Sequence, residues 1–89
     1  MPRSPVENLN QTGVDFLLTD LDTALVFLDI AATSRNQDNI KRNHQNARKA
    51  YDTVARLLLT VDPSPRQLSV ITQKLGLLKS RLEAVGYTL

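Results

Sequence analysis

The chain contains no cysteine and no tryptophan, a single histidine (His44) and a single methionine (Met1). Without cysteine there are no disulfides and no thiolate metal sites. With one histidine, most acid–base and metal constellations are excluded before any pattern is read. Aromatics are scarce, two Phe and two Tyr, which leaves no row of rings for single-stranded nucleic acid to stack on. No stretch approaches about 18 uninterrupted apolar residues, so no transmembrane helix is expected. The opening MPRSPVENLNQTG has no apolar h-region and does not read as a secretory signal, so a cytoplasmic location is the default expectation.

What remains is one domain's worth of chain: 89 residues, 42% hydrophobic and 22% charged. A chain of this size buries somewhat over ~60% of its unfolded surface, enough to fold alone with a modest margin. The pI of about 9.3 suggests a strongly basic protein, but the net charge is only +2. With one His and no Cys, almost nothing titrates between the carboxylates and the lysines, so a small positive excess persists to high pH.

Residues 1–11 hold two prolines and mostly polar residues and read as a flexible N-terminal tail, with residues 12–89 as the folded domain. From Val14 the apolar positions step by three and four through Leu17, Leu18, Leu21, Ala24, Leu25, Leu28, Ala31 and Ala32. That is one face of an α-helix covering about 13–33. A second helix, about 36–61, has Ile40, His44, Ala47, Tyr51, Val54, Leu58 and Val61 on its face. Asp62-Pro63-Ser64-Pro65 stops it, because proline disfavours helix in the residue before it. Ser64 then serves as N-cap, with Pro65 at N1 and Gln67 at N3, a capping box. The third helix, about 65–85, carries Leu68, Ile71, Leu75, Leu78, Leu82 and Val85, with Gly86 as its C′ residue. The expected fold is all-α, an up-down-up antiparallel three-helix bundle.

Three seven-residue ladders lie off these faces. Asp15, Asp22 and Asp29 are too far apart, about 10.5 Å per step, to share a metal ion, so they read as a solvated flank. Arg35, Arg42, Lys49 and Arg56 lie almost opposite the core face of the second helix. Residues 35–61 hold six bases and two acids, whereas 12–34 hold four acids and no base. This basic face offers phosphate backbones or an acidic partner a binding surface. Asp38 and Asp52, each four residues before an Arg, offer it intrahelical pairs instead. The third ladder is Val70, Leu77 and Ala84. With Phe16, Phe27 and Ile30 on the first helix, Val70 and Leu77 exceed what one core seam requires. His44 reads as a partly buried core histidine and Tyr51 as a core aromatic. Asn36, Asn39, Asn43 and Asn46 border the core stripe and read as slightly more solvated than bonded.

The segment Ala47-x-x-Ala50-Tyr51-x-x-Val54 resembles the second helix of a tetratricopeptide-type hairpin. The upstream tryptophan, leucine–glycine and tyrosine positions of that repeat are absent, so no family is assigned. The expectation is a non-enzymatic helical module that docks on another protein or on itself as a homodimer, through Phe16, Phe27, Ile30, Val70 and Leu77. Nucleic-acid or acidic-partner binding through Arg35, Arg42, Lys49 and Arg56 is the alternative. No catalytic residue, cofactor, metal or membrane is expected.

Overall fold

A computed structural model describes residues 5–89, with side chains from residue 8 onward. It contains three helices, α1 (Pro5–Thr33), α2 (Gln37–Leu57) and α3 (Pro65–Ala84), and no strand among the described residues. A single 3₁₀ turn, Leu58–Thr60, follows α2. The all-α three-helix bundle expected from the periodicity is the fold.

The main difference lies at the start. α1 begins at Pro5, so residues 5–11 are helix and not a flexible tail; residues 1–4 lie outside the described residues. Ser4-Pro5-Val6-Glu7 has the same order of residue types as Ser64-Pro65-Arg66-Gln67. Both runs put a hydroxyl before proline and a carboxyl or amide three residues on, a helix-start signature. The early turns of α1 are held by a polar contact that apolar periodicity does not report. The Asn10 amide donates to the Asp62 carbonyl at 2.9 Å, and the Asp62 N–H donates to Asn10 Oδ1 at 2.6 Å. One side chain thereby replaces a two-bond backbone pairing and ties α1 to the loop between α2 and α3.

α2 stops at Leu57, four residues short of the expected 61, and passes into the 3₁₀ turn ahead of Pro63; the remaining ends are capped. Asn36 caps α2, its Oδ1 accepting from Asn39 N–H at 3.0 Å. Ser64 Oγ accepts from Gln67 N–H at 3.2 Å while Gln67 Oε1 accepts from Ser64 N–H at 2.9 Å. Gly86, at φ 105°, closes α3. Its N–H donates to the Glu83 carbonyl, and the Tyr87 N–H donates to that of Leu82, the paired bonds of a Schellman end. Arg48 then holds the chain that follows. Its guanidinium lies 5.7 Å from the centre of the Tyr87 ring and donates to the Thr88 carbonyl.

The core is a stripe of Val14, Leu17, Leu21, Ala24 and Leu28 from α1, with Ile71, Leu78 and Leu82 from α3. α2 contributes only small groups, Asn43, Ala47, Ala50 and Val54. Small residues let backbones approach, and α1 packs more extensively on α2 than on α3. Leu68, Ala32 and Val85, expected on core faces, are exposed instead. The acidic ladder is not merely solvated. Asp22 pairs with Lys74, and Asp29 with Arg81 at 2.9 Å. Both partners advance by seven residues in the same direction, so α1 and α3 run parallel, with α2 antiparallel between them. Exposed pairs of this kind contribute only about 0–1 kcal/mol each; they mark register more than stability.

Two helical glycines separate packing from propensity. A Cβ on Gly13 would stand 2.7 Å from Val61 Cγ1, whereas one on Gly76 would meet nothing within 4 Å. Gly76→Ala should therefore stabilise the fold by about 1 kcal/mol, the helix-propensity gain. Gly13→Ala should show none of that gain or a net loss, because the stiff Val61 must move. Urea unfolding of the two variants beside the parent measures both.

Candidate functional site

The buried stripe of α2 differs from the expected one in phase. Asn43 and Ala50 are buried, while Ile40, His44 and Tyr51 are only half-buried. At about 100° per residue, this turns α2 by roughly 40–50° about its axis. The turn brings the edge carrying Asn46, Lys49 and Thr53 towards α1.

Asn43 enters the core because its polar atoms are bonded locally. Its amide donates to the Asn39 carbonyl at 2.9 Å and to Asn39 Oδ1 at 3.0 Å. Asn39 in turn donates to Ser34 Oγ at 3.1 Å. The asparagine series thus forms a connected chain across the α1–α2 turn over its first three members, while Asn46 is half-buried on the side of α2 that faces α1.

Where α1 and α2 meet on the outside, an open groove of about 420 Å³ runs between them. Phe16, Asp20 and Phe27 line it from α1, and Asn46, Lys49, Ala50 and Thr53 from α2. The aromatic pair and one member of the basic ladder, which the sequence places on separate surfaces, therefore share one site. Asp20 sits between the two phenylalanines, and burial raises its carboxyl above the ordinary carboxylate pKa. Among the described residues it makes no ion pair.

The five expected contact residues do not form one surface. Phe16 and Phe27 line the α1–α2 groove. Val70 and Leu77 lie on α3 beside Lys74 and Arg81, beyond the ion pairs with α1. The Asp row of α1 stands about 120° around the helix from the phenylalanines. Ile30 lies between these two flanks. The sequence reading missed Val26, which is 52% exposed, and Leu9, which is 73% exposed. The signal that finds them is negative. From Asn8 to Ile30, the outward third of α1 holds Asn8, Leu9, Thr12, Phe16, Thr19, Thr23, Val26, Phe27 and Ile30, without one charge.

Arg35, Arg42, Lys49 and Arg56 are all exposed. None is ion-paired among the described residues, so the expected pairs of Arg42 with Asp38 and of Arg56 with Asp52 are not formed. Asp52 accepts instead from Arg48 Nε, 3.1 Å from both oxygens, because Arg48 is already held by Tyr87 and Thr88. His44 is half-buried and lines an opening of about 470 Å³ between α2 and the end of α3, and one of about 100 Å³ that Leu28 and Ala32 of α1 also line. Their linings hold Lys41, Arg81 and Tyr87 but no carboxylate. No cluster of three or more metal-ligating side chains occurs among the described residues, and no described helix is long and apolar enough to cross a membrane.

Compared with protein-family models, with curated proteins and with solved structures, the chain finds no match in any of the three.

Asp20 gives the groove a pH signature. A carboxyl whose folded pKa is raised binds its proton more tightly in the folded state. Its ionisation therefore costs stability above the folded pKa, and the cost vanishes below the unfolded value. Asp20→Asn should stabilise the chain at pH 7, and the gain should disappear towards pH 3. Denaturant melts at the two pH values measure this; a gain that is equal at both would show that ionisation of Asp20 is not its cause.

Proposed function

We propose that this chain is a non-enzymatic helical interaction module, and that the outward face of α1 is its contact surface. The observation that carries the reading is the uncharged sector of that helix. Exposed helix faces are ordinarily polar, yet Phe16, Val26 and Ile30 stand 51%, 52% and 43% exposed along one side of α1. Contiguous apolar surface on a small protein is the common mark of a contact site.

A contact role and a folding role predict different outcomes for the same substitution. Replacing Phe16 and Ile30 together by Ser should change the stability of the dilute chain by no more than about 0.5 kcal/mol per site. It should also reduce binding of a fluorescent apolar-surface dye. A loss above about 2 kcal/mol, the range of core truncations, would assign these side chains to the fold and end the proposal.

The basic row supports a second reading. Arg35, Arg42, Lys49 and Arg56 form one exposed line of cations without ion-pair partners among the described residues. As a nucleic-acid surface it predicts retention of mixed-sequence DNA or RNA that falls steeply with salt. Retention that is absent, or insensitive to salt, removes that reading.

A further inference from the structure

On the reading of the outward α1 face as a contact surface, we infer that the groove between α1 and α2 takes an acidic amphipathic helix of another protein. That helix lies with its apolar face on α1 and a row of carboxylates along α2.

Three observations lead to it. First, the two banks of the groove differ in kind. Phe16 and Phe27 line it from α1, with Ile30 exposed beyond them. The one charged side chain in that lining from α1, Asp20, is half-buried between the rings. The α2 bank carries Arg42, Lys49 and Arg56, all exposed and none ion-paired among the described residues. Lys49 stands in the groove lining itself, so the cations and the apolar side chains face one occupant.

Second, the banks are in register. α1 and α2 run antiparallel from the turn at 34–36. At equal distances from that turn, Arg42, Lys49 and Arg56 stand level with about residues 28, 21 and 14 of α1. Arg42 is therefore beside Phe27 and Ile30, Lys49 beside Asp20 and Thr23, and Arg56 beside Phe16. The apolar row from 16 to 30 and the basic row from 42 to 56 are each about 21 Å long, and seven residues make about two turns of helix. A helix laid in the groove meets both rows when its carboxylates repeat every seven residues beside an apolar stripe.

Third, charge selects the occupant. A basic helix meets like charge along α2, and an uncharged one leaves the cations unpaired. Asp20 keeps carboxylates off the α1 side, so the acids belong on the α2 edge. A nucleic-acid strand satisfies the cations but leaves Phe16, Phe27 and Ile30 without an apolar partner along their length. The acidic flank of α1 does not intrude. Asp22 and Asp29 are paired with Lys74 and Arg81, Asp15 accepts from the Gln11 amide at 2.8 Å, and all three stand on the α3 side of α1.

The test uses the full chain and a fluorescent three-heptad peptide with Leu at its a and d positions and Glu at e and g, whose like-charged edges keep it from pairing with itself. Anisotropy titration at about 50 mM salt should show binding that weakens about tenfold at about 500 mM. The same peptide with Lys in place of Glu should not bind. Arg42→Glu, Lys49→Glu and Arg56→Glu together should exchange the two preferences. Arg66→Glu with Lys79→Glu, both exposed on α3, should change neither. Phe16→Ser with Ile30→Ser should weaken the acidic peptide about tenfold. Equal binding of the acidic and basic peptides, or binding of neither, overturns the acidic occupant and leaves a contact surface of other specificity intact. A scrambled peptide of the same composition that binds equally well overturns the helical occupant. Mixed-sequence RNA that displaces the acidic peptide at lower concentration than the unlabelled peptide does assigns the basic row to nucleic acid and overturns the proposal. Core-like destabilisation by the two serine substitutions removes the contact surface itself.

Discussion

The close approach of α1 and α2, set by the small side chains that α2 turns inward, governs the position of most other groups in this molecule. Asn43, Ala47, Ala50 and Val54 leave little depth between the two backbones. Rings the size of phenylalanine do not fit in such a seam, so Phe16 and Phe27 lie over its outside. The large core side chains come instead from α1 and α3, with Leu17, Leu21, Ile71, Leu78 and Leu82 fully buried. Small-residue contact on one side of α1 and leucine packing on the other account for both the core and the exposed aromatic groove.

Polar anchoring works at the ends of the bundle. Asn10 pairs with the backbone of Asp62 at one end. At the other, Ser34, Asn39 and Asn43 form a bonded chain across the α1–α2 turn, and Arg48 clasps the residues after α3. These contacts supply what a core of this size leaves short, since small domains bury a modest fraction of their surface. They also fix register, because each is directional in a way that apolar packing is not. A polar side chain such as Asn43 enters the core at low cost only when its donors are already used.

Periodicity located three helices, and the capping signals placed the start of α3 and its glycine end correctly. The start of α1 was equally present in the letters, as Ser-Pro-x-Glu, but it lies outside the apolar stripe and is held by a long-range amide contact. The phase of α2 was misread because Ile40, His44 and Tyr51 look more core-like than Asn43 and Ala50. Hydropathy ranks side chains by transfer from water and ignores local hydrogen bonding, which made Asn43 the better-buried residue. The expected ion pair of Asp52 with Arg56 failed for a related reason. Arg48 was already committed to the chain end, a contact between residues far apart in sequence.

Composition alone removed disulfides, thiolate metal sites and most catalytic constellations, and spacing alone defined helices with more apolar residues than one core uses. Those conclusions depend on residue type and local period, which the chain carries in any conformation. Which apolar residues would remain outside was decided only by packing, since the choice between core and surface turns on helix phase and on how near two backbones can come. The same packing brought Lys49 beside Phe16 and Phe27 and separated Val70 and Leu77 from them. Proximity between helices is a property of the assembled bundle, and no single helix encodes it.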